Sequence, residues 1–289
     1  MNKSLGIYNL IDSDAINESI KRVIDSKVNF NTYVSPKGLK ELRVSIANFL
    51  KNTWNYQESY KDIMITSGSQ QSINLIASSL FNDEDTILIE QPTYFGAIDV
   101  FKKRKINLVG IDLSEDGFDL KELEERIKEC KPKAIYVTPT FNNPTGYAWS
   151  NKTRKEFLDI INKYTVLVIE DDPYSLINFT DYKYRTLYEM NNGKNVIYLG
   201  TFSKLISPAI NVGYVICDKG VMNALYDFKN SFDLCTSAFL QYVVLDYLTN
   251  NDLKMQIDLK KEVYKKLLDD SIKRIEANNS VISYTRSKG

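Results

Sequence analysis

The chain has 289 residues, 43% hydrophobic and 26% charged, which is enough for one large or two smaller globular domains. Lysine plus arginine and aspartate plus glutamate both number 37, so the chain lacks the basic excess of a dedicated nucleic-acid binder. It contains no histidine, which excludes a histidine base or metal ligand and leaves proton transfer to lysine, tyrosine, cysteine or a carboxylate of shifted pKa.

In chain order, residues 1–31 predict an irregular arm and a short helix. The arm is broken by Asp12, Asp14 and Glu18, so it has no signal-peptide core. No stretch approaches the run of about 20 apolar residues that a membrane helix needs, and a cytoplasmic location is expected. Pro36-Lys37-Gly38 then breaks the chain ahead of a helix over 39–51. From there short, β-branched runs at 62–66, 86–90, 107–111, 134–138, 165–169, 196–200 and 212–217 read as strands. Helical patterns separate most of them, at 70–80, up to 103, at 120–130 and after the capping Ser150. Continuous apolar strands alternating with helices predict an α/β fold with a mostly parallel sheet covered on both faces. Beyond residue 221 the pattern is helical, ending in a charge-striped helix over 252–277 whose lysines read as a solvated face. A last strand is expected at 281–285. The expected organisation is an arm (1–31), a large domain (32–220) and a helical connection with part of a small domain (221–289). Cys130, Cys217 and Cys235 have neither CxxC nor metal-type spacing and read as reduced core residues.

Ligands of parallel sheets dock at the carboxyl ends of the strands, and the chemically suggestive residues cluster there. Gly68-Ser69-Gln70 opens a helix, where backbone N–H groups favour an anion, although a serine there is more often only a cap. Asn142-Asn143-Pro144-Thr145-Gly146 is turn-like, yet its amides could hold a polar ring. Glu170-Asp171-Asp172 follows an apolar strand, where a carboxylate could be solvated or could pair with a ring nitrogen. Lys204 follows another apolar strand between Phe202 and Leu205, the setting of a desolvated lysine competent to form an imine and to carry protons.

Taken together, Gly-Ser-Gln-Gln at 68–71, Pro-Thr-Tyr at 92–94, Asn-Asn-Pro-Thr-Gly at 142–146, Glu-Asp-Asp-Pro-Tyr at 170–174 and Thr-Phe-Ser-Lys at 201–204 resemble the class I/II aminotransferases. Within them the likeness is to the 2-aminoadipate/kynurenine type and to the aminotransferase-like domain of MocR-type regulators. The resemblance covers nearly the whole chain and implies the fold-type I architecture, pyridoxal 5'-phosphate (PLP) as cofactor, and transfer of an amino group between an amino acid and a 2-oxo acid in a homodimer. Carried over position by position, it implies that Lys204 forms the Schiff base and moves the proton. Asp171 would pair with the ring nitrogen, Asn143 and Tyr174 with the ring oxygen, and Tyr94 would stack on the ring. Ser69, Gln70 and Thr201 would hold the phosphate, and Gly6 and Tyr33 would line the substrate site, Tyr33 from a partner subunit. No nucleic-acid or membrane contact is expected of this chain.

Two departures stand out. The family's phosphate-clamping arginine, seven residues after the lysine, is Asn211 here, which predicts weaker PLP binding. The family also continues beyond the 281–285 strand with a segment carrying the arginine for the substrate carboxylate, and Arg286 lies too early to match it. On that reading the chain is expected to be a truncated form, with reduced stability or an exposed apolar face. A non-catalytic PLP-binding effector domain and an inactive remnant are the alternatives to a working aminotransferase.

Overall fold

A computed structural model describes residues 14–54, 58–277 and 284–289. Helices α1 (Asp14–Asp25) and α2 (Lys40–Trp54) precede strand β1 (Ile63–Thr66). Then follow α3 (Gly68–Leu80), β2 (Thr86–Gln91), α4 (Phe95–Lys103), β3 (Asn107–Ser114), β4 (Gly117–Phe118), α5 (Leu120–Cys130) and β5 (Ala134–Val137). The chain continues through α6 (Asn151–Tyr164), β6 (Leu167–Asp172), α7 (Leu187–Met190), β7 (Val196–Thr201), β8 (Gly213–Ile216), α8 (Lys219–Phe232), α9 (Ala238–Asn250) and α10 (Leu253–Glu276).

The eight strands form one sheet in the order β1-β8-β7-β6-β5-β2-β3-β4. The five central strands, β7, β6, β5, β2 and β3, run parallel, and β8 lies antiparallel between β7 and β1. Alternation along each strand divides its side chains between the faces. Ile135 and Val168 join one apolar layer, with Leu42 and Ile46 of α2 and Phe157 and Ile161 of α6. Tyr136 and Ile169, the next residues along, join the other, with Ile73 and Ile76 of α3 and Phe101 of α4. Each such side chain, fully buried, contributes about 1.5–3 kcal/mol, which is why these amphipathic helices dock where they do.

Local chemistry sets the boundaries. Ser150 caps α6 by accepting from Thr153 N at 3.2 Å, and Asp119 caps α5 by accepting from Lys121 N at 2.9 Å. Thr165, expected to begin a strand, instead ends α6 in the left-handed region (φ 54°), its N–H bonded to Ile161 O. A β-branched residue is an uncommon choice there, so its composition read as strand. Other corrections are small: α2 extends to Trp54, β3 to Ser114, and β6 takes in the three acids that were read as a strand end. Tyr284 and Thr285 are not in a strand, and residues 281–283 of the expected last strand lie outside the described residues. Cys217 is buried as expected, but Cys130 and Cys235 are only partly so. Among the described residues no helix is long and apolar enough to cross a membrane.

Candidate active site

The carboxyl ends of β1, β2, β5, β6 and β7 converge on a cavity of about 220 Å3. It is lined by Gly68, Ser69 and Gln70 from the first turn of α3, Tyr94 ahead of α4, Asn143 from the loop after β5, Asp171 of β6, Tyr174, and Thr201, Ser203 and Lys204 after β7. All eight residues that the resemblance assigned to the cofactor therefore meet in one place. A second cavity of about 630 Å3 shares Asn143, Tyr174, Ser203 and Lys204, and continues over Phe141, Ile177, Phe179, Tyr264 and Leu268.

The three acids of β6 divide according to strand alternation. Glu170 accepts the first N–H groups of α7, from Leu187 at 2.8 Å and Tyr188 at 2.9 Å, and faces the buried Arg154. Asp172 accepts from Tyr198 Oη at 2.9 Å and Ser175 N at 3.1 Å. Asp171 alone lines the cavity. One of its oxygens accepts from Tyr136 Oη at 2.6 Å, while Oδ1 is buried without a hydrogen-bond partner. Burial raises its carboxyl to a pKa of about 6, with the Asp172 charge adding to the rise, while the Tyr136 hydroxyl and nearby Ser69 oppose it. Ser69 Oγ is likewise buried without a partner. Neither atom has a hydrogen bond of normal geometry, although Ser69 lies close enough to favour the Asp171 carboxylate, so this cavity wall retains unused capacity for a polar guest.

The remaining residues differ in readiness. Lys204 is half-buried rather than fully desolvated, and its Nζ lies 5.9 Å from the centre of the Tyr174 ring. Gln70 is already engaged, donating to Gly96 O at 3.0 Å and accepting from Tyr94 Oη at 3.2 Å. Thr201 Oγ1 donates to Val212 O at 3.4 Å and accepts from Ser203 N at 3.1 Å. Of the three side chains expected to hold a phosphate, those of Gln70 and Thr201 are thus committed to protein partners, and only Ser69 Oγ lacks a hydrogen bond of normal geometry. Asn211 lines the same cavity with φ 44°, its Oδ1 against Gly68, where a Cβ would approach to 2.4 Å. Only a glycine fits at 68, which itself has φ 77°. Tyr33 is 85% exposed and lines neither cavity, so within one chain it does not reach the site. Gly6 lies outside the described residues.

Sequence reasoning missed the charged residues that hold these loops. Arg154, fully buried, donates to Pro139 O, Thr140 Oγ1, Trp149 O and Arg185 O at 2.8–3.0 Å and so fixes both ends of the loop that carries Asn143. Lys229 on α8 is buried against Asp233 at 2.8 Å and Gln71 Oε1 at 3.3 Å, and Gln71 Oε1 also accepts from Ser67 N at 2.7 Å beside the first turn of α3. Lys260 on α10, read as part of a solvated face, is buried and donates to the carbonyls of Leu205 and Ile206, directly after Lys204.

Residues 2–283 match the family model for aminotransferase class I and II. The chain belongs to the class I and II aminotransferases. Aromatic-amino-acid aminotransferase 1 of Thermococcus litoralis is 33% identical over 249 residues, covering 84% of this chain and 60% of that protein. An HTH-type transcriptional regulator of Bacillus subtilis is 29% identical over 240 residues, covering 83% of this chain and 49% of the regulator. Among solved structures, the kynurenine aminotransferase of Pyrococcus horikoshii, in complex with PMP, superposes with a TM-score of 0.91 at 30% identity over 97% of this chain and 71% of that one. The chain thus has the fold-type I architecture, while spanning about half to two thirds of the length of these curated relatives.

Proposed function

We propose that this chain is the PLP-binding and catalytic part of an aminotransferase that moves an amino group between an amino acid and a 2-oxo acid, and that it works as a homodimer. The observation that carries the proposal is that Asp171 Oδ1, buried without a hydrogen bond of normal geometry, lines the same cavity as the first turn of α3 and the half-buried Lys204. These features fit PLP. A carboxylate oxygen short of a donor suits a protonated ring nitrogen, and a helix N-terminus suits a phosphate.

When bound, PLP supplies an electron sink for charge developing on the substrate's α-carbon. The protein's residues do the rest. Lys204 Nζ provides the amine that anchors the cofactor and then the base that takes and returns the α-proton, a role that falls to lysine in a chain without histidine. Asp171 holds a proton on the ring nitrogen. Asn143 and Tyr174 orient the ring through its oxygen, and Tyr94 covers its face. Ser69 and the first turn of α3 receive the phosphate, with Gln70 and Thr201 shaping the pocket. The second, more apolar cavity receives the substrate side chain. Phe95 is 70% exposed beside Tyr94, while Phe232 and Leu234 stand exposed at the end of α8, which also packs on α3. Exposed apolar side chains of this kind are what a second copy would cover, and they support the homodimer reading.

To test the proposal, the purified chain is loaded with PLP and given an aromatic amino acid and 2-oxoglutarate. The expected result is a visible absorption band from protein-bound PLP and formation of glutamate. A spectral response to amino acids without amino-group transfer would mark a non-catalytic binding domain instead, and no band at any PLP concentration would remove the cofactor reading altogether.

Asn211→Arg is expected to tighten PLP binding at least about tenfold, because a charge-assisted hydrogen bond contributes about 1.5–3 kcal/mol. The left-handed backbone at this position (φ 44°) is the same with and without PLP, so any strain there lowers stability and not affinity. Titration of the visible band gives the affinity directly. An unchanged or weaker affinity would show that the phosphate end lies elsewhere.

A further inference from the structure

Glu90, next to last in β2, is fully buried and lines neither cavity. Its Oε2 accepts two hydrogen bonds from the segment that follows β5, Thr138 N at 2.9 Å and Asn142 Nδ2 at 2.7 Å. Asn142 in turn organises the loop. Its Oδ1 accepts from Thr145 Oγ1 at 2.9 Å, its carbonyl from Gly146 N at 2.6 Å, and its N–H donates to Tyr147 O at 2.9 Å. Asn143, the next residue, reaches the cavity. A glutamate from one strand thus grips the loop of the neighbouring strand at two points, one of them adjacent to a site residue.

We infer that Glu90 is a positioning residue for the cofactor cavity, acting through Thr138 N–H and the Asn142 amide to set the place of Asn143. The inference rests on the PLP reading given above.

The role calls for an acceptor rather than a charge. Burial raises the Glu90 carboxyl to a pKa of about 8, with Asp171 adding to the rise, while Thr138, Asn142 and Thr93 oppose it. At neutral pH Glu90 therefore holds its proton, which leaves Asp171 as the charged group beside the cavity. Glu90 Oε1 and Thr93 Oγ1 are both buried without a hydrogen bond of normal geometry. An amide fits this setting: its oxygen can accept where Oε2 does, and its NH2 can take the Oε1 position beside the threonine.

Three variants test the role with PLP as the probe, read by titration of the visible band and of intrinsic fluorescence. Glu90→Gln is expected to bind PLP within about threefold of the wild type. Glu90→Leu, which leaves two buried donors unpaired, is expected to bind at least tenfold more weakly. Asn142→Ala, which removes the link while keeping Glu90, is expected to weaken binding by a similar factor. The Glu90→Leu/Asn142→Ala double variant should be no weaker than the worse single variant, because both break one connection. Near-UV circular dichroism without PLP separates misplacement from unfolding. If Glu90→Leu fails to fold, retention of affinity by Glu90→Gln together with its loss in folded Asn142→Ala supports the role. The inference is overturned if folded Glu90→Leu binds PLP as the wild type does, if Glu90→Gln is as weak as Glu90→Leu, or if Asn142→Ala has no effect. The Lys204→Ala control keeps the two readings apart. A wild-type band independent of Lys204 removes the PLP reading itself, whereas a Lys204-dependent band that is indifferent to Glu90 removes only this inference.

Discussion

Lys204→Ala is expected to abolish the shift in visible absorption that accompanies PLP binding, and to lower amino-group transfer by about 10²–10⁴-fold, the range for loss of a positioned proton carrier. The loss should be chemical rather than structural. Lys204 is half-buried, and its ammonium lies 5.9 Å over the Tyr174 ring, a contact worth about 0.5–1 kcal/mol at such a site. The melting temperature without PLP should therefore move little, while the spectrum changes completely. Lys204→Arg should not rescue, because a guanidinium does not give up its proton near neutral pH. Absorption spectra and glutamate formation for the wild type and both variants decide the matter. A variant that keeps the spectral shift would transfer the role to another amine.

Asp171→Asn should separate stability from function. The amide can still accept from Tyr136 Oη, but it offers the cavity a neutral group where a protonated ring nitrogen needs an anion. Hydrogen bonds to charged groups contribute about 1.5–3 kcal/mol, so transfer should fall at least roughly 10- to 100-fold. The same change should stabilise the protein without PLP. A carboxyl raised from 3.8 to about 6 binds its proton more tightly folded than unfolded. Its contribution is therefore most favourable below pH 3.8, declines as pH rises from 3.8 to about 6, and is constant above. That interval corresponds to roughly 3 kcal/mol at pH 7, at 1.36 kcal/mol per pKa unit. The variant's gain in melting temperature over the wild type should thus grow between pH 4 and 6 and then level off. Calorimetry of both proteins without PLP measures it. A gain that is the same at every pH would show that burial does not raise the Asp171 carboxyl.

The sequence carried the framework of the fold because the strands are short, apolar runs whose burial on both faces needs no polar alternation. It placed Asp171 and Lys204 at the cavity for a related reason: charged residues at or just beyond the carboxyl end of such a run stand where ligands dock. The supporting charges were not legible. Glu90 also ends an apolar run, but its two partners come from β5 and its loop, some 50 residues later, and nothing local announces them. Lys260 sits among Lys261, Lys265 and Lys266 on α10, and only the packing of that helix onto the turn after Lys204 singles it out. Arg154 looks like any charge on an amphipathic helix until the carbonyls of Pro139, Trp149 and Arg185 close around it. Nor does the position of Gln70 in its motif announce that its side-chain amide is engaged by Tyr94 and Gly96.

The placement of β1 has a consequence for synthesis on the ribosome. This strand lies at the edge of the sheet and pairs with β8 alone, Ile63 with Ile216 through to Thr66 with Gly213. A nascent chain that has emerged only as far as Lys204 carries all eight residues assigned to the cofactor, yet β1 still lacks its strand partner. The helix bearing Ser69 packs on β7 and β8 as well as on β1, so the sheet beneath its first turn is complete only once residue 216 has left the exit tunnel.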